Sequence, residues 1–289
     1  DGASFVIDNQ VPQVTVTYDN MNKLKEYFYY GKRTSQISVT DLSFVYASKV
    51  EKKEEKIKNI LKEKVEKKIT AIDTKGNRIE AEAEAVKIEE WLFDNGVYKQ
   101  KIEFNGEAIY SFDISPIQDL CGMTCEKDNI QYNVSDGKSF VIDKTGPQIT
   151  VIYHDSDTNK HADEYYKDSR TADIIVEDLS YIYEDKLSES KDLTPENRIS
   201  DWIEITAKDA KGNLVTDAFK NEKWIFLNSD SSDSLSGVYK KSICFEKDAI
   251  YTFSILNNGE VPADIYENKA TIVYKNIFDN DVKDYDSFV

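Results

Sequence analysis

The sequence predicts a mostly β protein made of two tandem β-sandwich domains, each enlarged by a helical insert. Three observations carry that prediction. The chain contains itself twice, apolar residues in both copies alternate with polar ones, and one segment of each copy departs from the alternation.

The repeat is read directly. Ser4-Phe5-Val6-Ile7-Asp8 returns as Ser139-Phe140-Val141-Ile142-Asp143, and Pro12-Gln13-Val14-Thr15-Val16 as Pro147-Gln148-Ile149-Thr150-Val151. Arg33-Thr34 matches Arg170-Thr171, and Asp41-Leu42-Ser43-Phe44 matches Asp178-Leu179-Ser180-Tyr181. Trp91 matches Trp224, Gly96-Val97-Tyr98-Lys99 matches Gly237-Val238-Tyr239-Lys240, and Ala108-Ile109-Tyr110 matches Ala249-Ile250-Tyr251. Ser-Phe-Val stands a third time at Ser287-Phe288-Val289, the pattern expected of a piece cut from a longer array. The domains are therefore 1–143 and 144–289, with Phe140–Asp143 readable as the last strand of the first copy or the first strand of the second.

Within each copy the elements follow in order. Val14, Val16 and Tyr18 alternate with polar residues, as do Ile149, Val151 and Tyr153. Ile37 and Val39, Ile102 and Phe104, and Tyr110, Phe112 and Ile114 continue the pattern and have counterparts in copy two. Period two means one buried and one wet face, the habit of antiparallel sandwiches. Asp73–Asn77 and Asp209–Asn213 read as hairpin turns in which Gly supplies positive φ. The departure from alternation in copy one is the Lys/Glu-rich segment 47–68, where Ile57, Leu61 and Val65 fall four apart and line one helix stripe. In copy two the insert is about 184–201, with Thr194-Pro195-Glu196 as a helix start.

Composition then narrows the function classes. The chain has 289 residues, about two domains' worth, and its hydrophobic fraction of 40% is enough for real cores. A net charge of −17 argues against nucleic acid as a partner, and no apolar run is long enough for direct membrane insertion. The charge is uneven, −4 over residues 1–138 and −13 over 139–289, which directs attention to copy two. Two His and three Cys leave little for His-based acid/base chemistry, Cys–His nucleophiles or zinc clusters. The acidic residues are scattered over loops and helix faces with no singled-out pair, so no enzyme activity is expected and no catalytic or cofactor-binding residue is assigned.

At this point the residues resemble a family. Phe140-Val141-Ile142-Asp143-Lys144-Thr145-Gly146-Pro147, then Tyr165-Tyr166 and Arg170-Thr171-Ala172-Asp173-Ile174, are similar to the tandem immunoglobulin-like repeats of Gram-positive, clostridial-type cell-surface proteins. Asp248-Ala249-Ile250-Tyr251-Thr252-Phe253 resembles the strand that carries the tyrosine corner, with Phe253, and Phe112 in copy one, where a disulfide Cys would stand. Asp119-Leu120-Cys121-Gly122 and Asp264–Asn268 resemble the family's Asp-Leu-Ala-Gly-Asn. The resemblance implies an extracellular, surface-displayed segment that acts as stalk or binding module. Its implied partners are host or bacterial surface proteins or glycans and the neighbouring repeats of the same chain. The alternative is a carbohydrate-binding accessory module of a secreted glycan-degrading enzyme.

The repeat also serves as an internal control, with shared residues read as architecture and single-copy residues as candidates for function. Arg33 and Arg170 are read as structural, Trp91 and Trp224 as core aromatics, and Tyr110 and Tyr251 as tyrosine corners. Tyr27, Tyr29, Tyr165 and Tyr166 are the candidates for exposed aromatic contacts, because neighbours on a strand point to opposite faces. Cys121 and Cys125, present in copy one only, are candidates for a small-ring disulfide, and Cys244 reads as a buried small hydrophobe. Asp155, Asp157 and Asn159 imitate the start of a calcium loop, but Lys160 stands where Gly is needed and Tyr166 where the bidentate Glu belongs. They are weak candidates for a calcium site of some other geometry, and no metal is firmly assigned.

Overall fold

The computed structural model describes residues 4–65, 69–74, 77–79, 85–154, 160–162, 164–186, 194–227, 238–256, 259–265, 267–276, 280–282 and 286–289. The chain divides into two compact units, Asp1–Asp73 with Arg78–Asp143, and Lys144–Val289 with Thr74–Asn77. Each is a mostly β, immunoglobulin-like sandwich with helices inserted between its strands.

The first unit opens with β1 (Gln13–Tyr18), β2 (Lys23–Lys25), β3 (Phe28–Tyr29) and β4 (Arg33–Thr40). Helices α1 (Leu42–Lys49) and α2 (Glu54–Val65) follow. Next come β5 (Ile69–Ile72), β6 (Val86–Ile88), β7 (Leu92–Asp94), β8 (Val97–Phe104) and β9 (Ala108–Phe112). The short strands β10 (Ile117–Gln118), β11 (Thr124–Cys125), β12 (Gln131–Tyr132) and β13 (Ser139–Ile142) close it. One sheet runs β12-β1-β4-β8-β6, with β7 also on β8, and the other runs β2-β3-β13-β9-β5. Alternation puts Val14, Val16, Ile37, Val39, Ile102 and Phe104 from the first sheet against Tyr110, Phe112, Phe140 and Ala71 from the second, all in one buried cluster.

The helices start earlier than the Lys/Glu-rich run. Asp41, with extended backbone (φ −157°, ψ 139°), caps α1, and its carboxylate accepts the Phe44 N–H. Phe44, Ala47 and Ser48 face the core at helical spacing. The stripe on α2 is real for Ile57 and Leu61, both fully buried in the same cluster. The Val65 side chain lies outside what is described.

The second unit repeats the plan with β14 (Gln148–Tyr153), β15 (Lys160–Ala162), β16 (Tyr165–Tyr166) and β17 (Arg170–Glu177). Its helices are α3 (Leu179–Lys186) and the single turn α4 (Pro195–Arg198). The remaining strands are β18 (Ile203–Lys208), β19 (Phe219–Asn221), β20 (Ile225–Leu227), β21 (Val238–Phe245), β22 (Ile250–Ile255), β23 (Thr271–Asn276) and β24 (Ser287–Phe288). The larger sheet runs β19-β21-β17-β14-β23 with β20 on β21, and the smaller runs β18-β22-β24.

Two buried devices recur. In each unit an arginine is held among three aromatic rings. The Arg33 guanidinium lies 4.0, 4.2 and 4.3 Å from the ring centres of Tyr18, Tyr29 and Phe140. Arg170 lies 3.8, 4.4 and 4.4 Å from Tyr153, Tyr166 and Phe288. Arg33 also pairs with Asp136 at 3.2 Å, both side chains fully buried. In each unit a tyrosine hydroxyl closes a corner by donating to the carbonyl four residues upstream, Tyr110 to Gly106 and Tyr251 to Lys247, each at 2.8 Å.

The Ser-Phe-Val segment fills a unit from its C-terminal end. Phe140 stacks on Tyr110 at 5.2 Å, and Phe288 stacks on Tyr251 at 5.4 Å. The earliest occurrence has no such frame in the first unit, and Phe5 and Ile7 are 80% and 78% exposed.

Candidate functional site

The helix start in the first unit gathers three carboxylates. Asp8 precedes β1, Asp41 caps α1, and Asp119 opens the turn that joins β10 to β11. One oxygen from each lies within 4.8 Å of the others. Ser43 organises the group. Its N–H donates to Asp8 Oδ2 at 2.9 Å, its hydroxyl donates to Asp41 Oδ1 at 2.6 Å, and that hydroxyl accepts the Leu120 N–H at 3.1 Å. Asp119 Oδ1 accepts the N–H groups of Cys121 and Met123, both at 2.8 Å.

The electrostatics are one-sided. Asp41 and Asp119 are buried and Asp8 is half-buried. Among the described residues, no ion pair to a Lys or Arg joins any of the three. Burial pushes the Asp41 carboxyl above its ordinary range, hydrogen bonds from Ser43 and Phe44 oppose this, and the charges of Asp8 and Asp119 push the same way as burial. The amino end of α1 offers partial positive charge only. Asp119 Oδ2 is buried and accepts no hydrogen bond from the described residues.

The second unit carries two of the three equivalent positions. Asp178 accepts the hydroxyl of Ser180 and the N–H of Tyr181, as Asp41 accepts those of Ser43 and Phe44. Asp264 accepts the N–H of Asn268 at 2.9 Å. Burial raises the Asp178 carboxyl most; hydrogen bonds from Ser180 and Tyr181 oppose it, and the Asp264 charge adds to the rise. The repeat counterpart of Asp8 is Asp143, directly after β13.

The residues singled out from sequence fall elsewhere. Cys121 and Cys125 are free cysteines, so the expected disulfide is absent. Cys125 is drawn into the core by its place opposite Ile117 on the β10–β11 ladder, whereas Cys121 is exposed on the connecting turn. Tyr29 is fully buried and belongs to the Arg33 cage, which removes it from any exposed row. Tyr27 and Tyr166 are half-buried, and only Tyr165 of the four is exposed. Asp155, Asp157 and Asn159 lie outside the described residues. Cys244 is half-buried, on the face of β21 opposite Ile243 and Phe245. Trp91 is buried, and half-buried Trp224 donates its ring N–H to Ser200, so the two offer no matched pair of open faces.

The three aspartates carry no mark in the sequence that groups them. All three have counterparts along the repeat, Asp143, Asp178 and Asp264, and residues that recur read as architecture. Their spacing, 33 and then 78 residues, has no local motif to announce it.

No family model matches the sequence, and no curated protein matches it. Among solved structures, the Escherichia coli adhesin FdeC is similar to this chain at 9% identity and a TM-score of 0.34, over 93% of this chain and 67% of that chain. A likeness that distant carries no argument about function. The sandwich assignment rests on the strand pairing itself.

Proposed function

We propose that the chain is a non-catalytic stalk segment of a repetitive, extracellular surface protein of Gram-positive, clostridial type, spacing or presenting a binding element carried by neighbouring repeats. The observation that supports this reading best is mechanical. In each unit the first strand lies parallel to a late strand, β1 to β12 and β14 to β23. A pull along the chain drives such a pair past each other, so the hydrogen bonds of the ladder are loaded together and do not open one by one.

Single-molecule pulling on the chain between inert handles tests the reading. Two separate rupture events are expected, each releasing about 45 nm of chain, since roughly 130 residues extend at about 3.5 Å apiece. The first unit is expected to yield first, because β1 and β12 share two residue pairs while β14 and β23 share six. Smooth lengthening at low force with no resolved event would remove the stalk role.

A further inference from the structure

Asp119 is 7% exposed, and both of the donors it meets converge on Oδ1. Its other oxygen is buried and accepts nothing from the described residues, and an oxygen of Asp119 lies within 4.8 Å of one from each of two further carboxylates. A buried acceptor left unmade is costly, and more so when it carries charge. A cation placed among the three oxygens removes both penalties at once. The spacing admits one. Oxygens held at about 2.3–2.6 Å from a single calcium ion can lie no farther apart than about 5 Å, and these lie within 4.8 Å.

We propose that Asp8, Asp41 and Asp119 bind a calcium ion that fastens the segment before β1 to the start of α1 and to the loop between β10 and β11. The donor set is all oxygen, which selects a hard cation. Calcium is favoured over magnesium because its shell of six to eight oxygens tolerates irregular geometry, leaving room for water beside three carboxylates, whereas magnesium demands a near-ideal small octahedron. The hydrogen bonds from Ser43, Phe44, Cys121 and Met123 hold the three carboxylates in place before the ion arrives. The second unit differs at the decisive atom. Asp264 Oδ2 accepts the side-chain N–H of Asn268 at 3.0 Å, where the first unit has Met123 and a free oxygen.

The test uses the whole chain stripped of metal by chelation. Titration calorimetry with calcium chloride, and separately with magnesium chloride, reads stoichiometry and affinity. Calcium is expected to bind more tightly than magnesium and, at about 100 times its dissociation constant, to raise the melting temperature of the first unit by roughly 5–10 °C. Asp119→Asn should abolish one equivalent of calcium or weaken it at least tenfold, and should leave the chelated protein no less stable, because it removes one of three crowded charges. Asp8→Asn, on a segment outside the sandwich, should give the same loss of binding and carries the test if Asp119→Asn fails to fold. The proposal is overturned if the wild-type chain gives no calcium heat, which would leave a water on Asp119 Oδ2, if magnesium binds equally well, or if both variants keep the wild-type stoichiometry and affinity.

Discussion

The two units build one five-residue loop from different chemistry. In the first it is Asp119-Leu120-Cys121-Gly122-Met123, and in the second Asp264-Ile265-Tyr266-Glu267-Asn268. The backbone closure is the same, since the N–H of the first residue donates to the carbonyl of the fifth in both, at 2.9 and 3.1 Å. The fourth residue is left-handed in both, at φ +88° for Gly122 and +64° for Glu267. The side chains at the fourth and fifth positions differ. The second unit fills the free carboxylate oxygen with Asn268 and places a Cβ in a left-handed position. The first unit avoids that strain and leaves the oxygen open. Loop shape is thus common property of the repeat, while the state of the acidic group is set copy by copy.

The largest expected effect separates the units at their arginine cages. Arg33→Ala removes a guanidinium packed on three rings and leaves the buried Asp136 carboxylate with Lys23 at 3.6 Å and the Tyr29 hydroxyl at 2.7 Å, so a loss of about 3 kcal/mol is expected in the first unit. Urea unfolding followed by probes specific to each unit should show only the first transition moving. Arg170→Ala should move only the second. Arg33→Lys keeps the charge but not the flat face the rings contact, and should still be clearly destabilised. Equal displacement of both transitions by either alanine variant would show that the cages do not act within their own units.

A smaller, reciprocal effect follows from the loops. A Cβ on Gly122 meets nothing within 4 Å, so Gly122→Ala should cost only the left-handed backbone preference, about 1 kcal/mol. Glu267→Gly should relieve a similar strain and stabilise the second unit by up to about 1 kcal/mol, less whatever the more flexible unfolded chain takes back. Opposite signs in the two variants support the comparison. The same sign in both would mean that side-chain contacts, not φ, decide the position.

What was legible in the sequence follows from range. Strand alternation, the Tyr110 and Tyr251 corners, and the structural reading of Arg33 and Arg170 depend on local pattern plus recurrence, and the structure has them. Helix α1 escaped because Phe44, Val45 and Tyr46 have strand-forming side chains, and the Asp41 cap overrides them. Tyr29 was placed on an outward row because alternation fixes that neighbours differ, not which of them is inside; the Arg33 cage decides that. The acidic group escaped because its members come from three separate segments, brought together by Ser43 and the loop after β10.

The smallest expected effect concerns a position where the copies differ in charge. Gln36 on β4 is exposed, and its counterpart Asp173 on β17 is buried. Burial alone would raise the Asp173 carboxyl, but it accepts hydrogen bonds from Lys240 at 2.8 Å, from Ser242 at 2.5 Å and from His154 at 2.6 Å, and together these hold it below its ordinary value. A carboxylate depressed in the folded state contributes stability that is fully present above its unfolded value near 4 and is lost as the pH falls through the folded value. The second unit should therefore lose this contribution below about pH 4, with no matching loss at Gln36 in the first. Asp173→Asn should remove that part of the acid sensitivity and cost no more than about 1 kcal/mol at pH 7, the scale of a partly open ion pair. Urea midpoints of the second unit at pH 7 and pH 3.5 decide it. If the wild-type and Asp173→Asn midpoints fall by the same amount between those two values, the carboxylate is not what makes the second unit acid-sensitive.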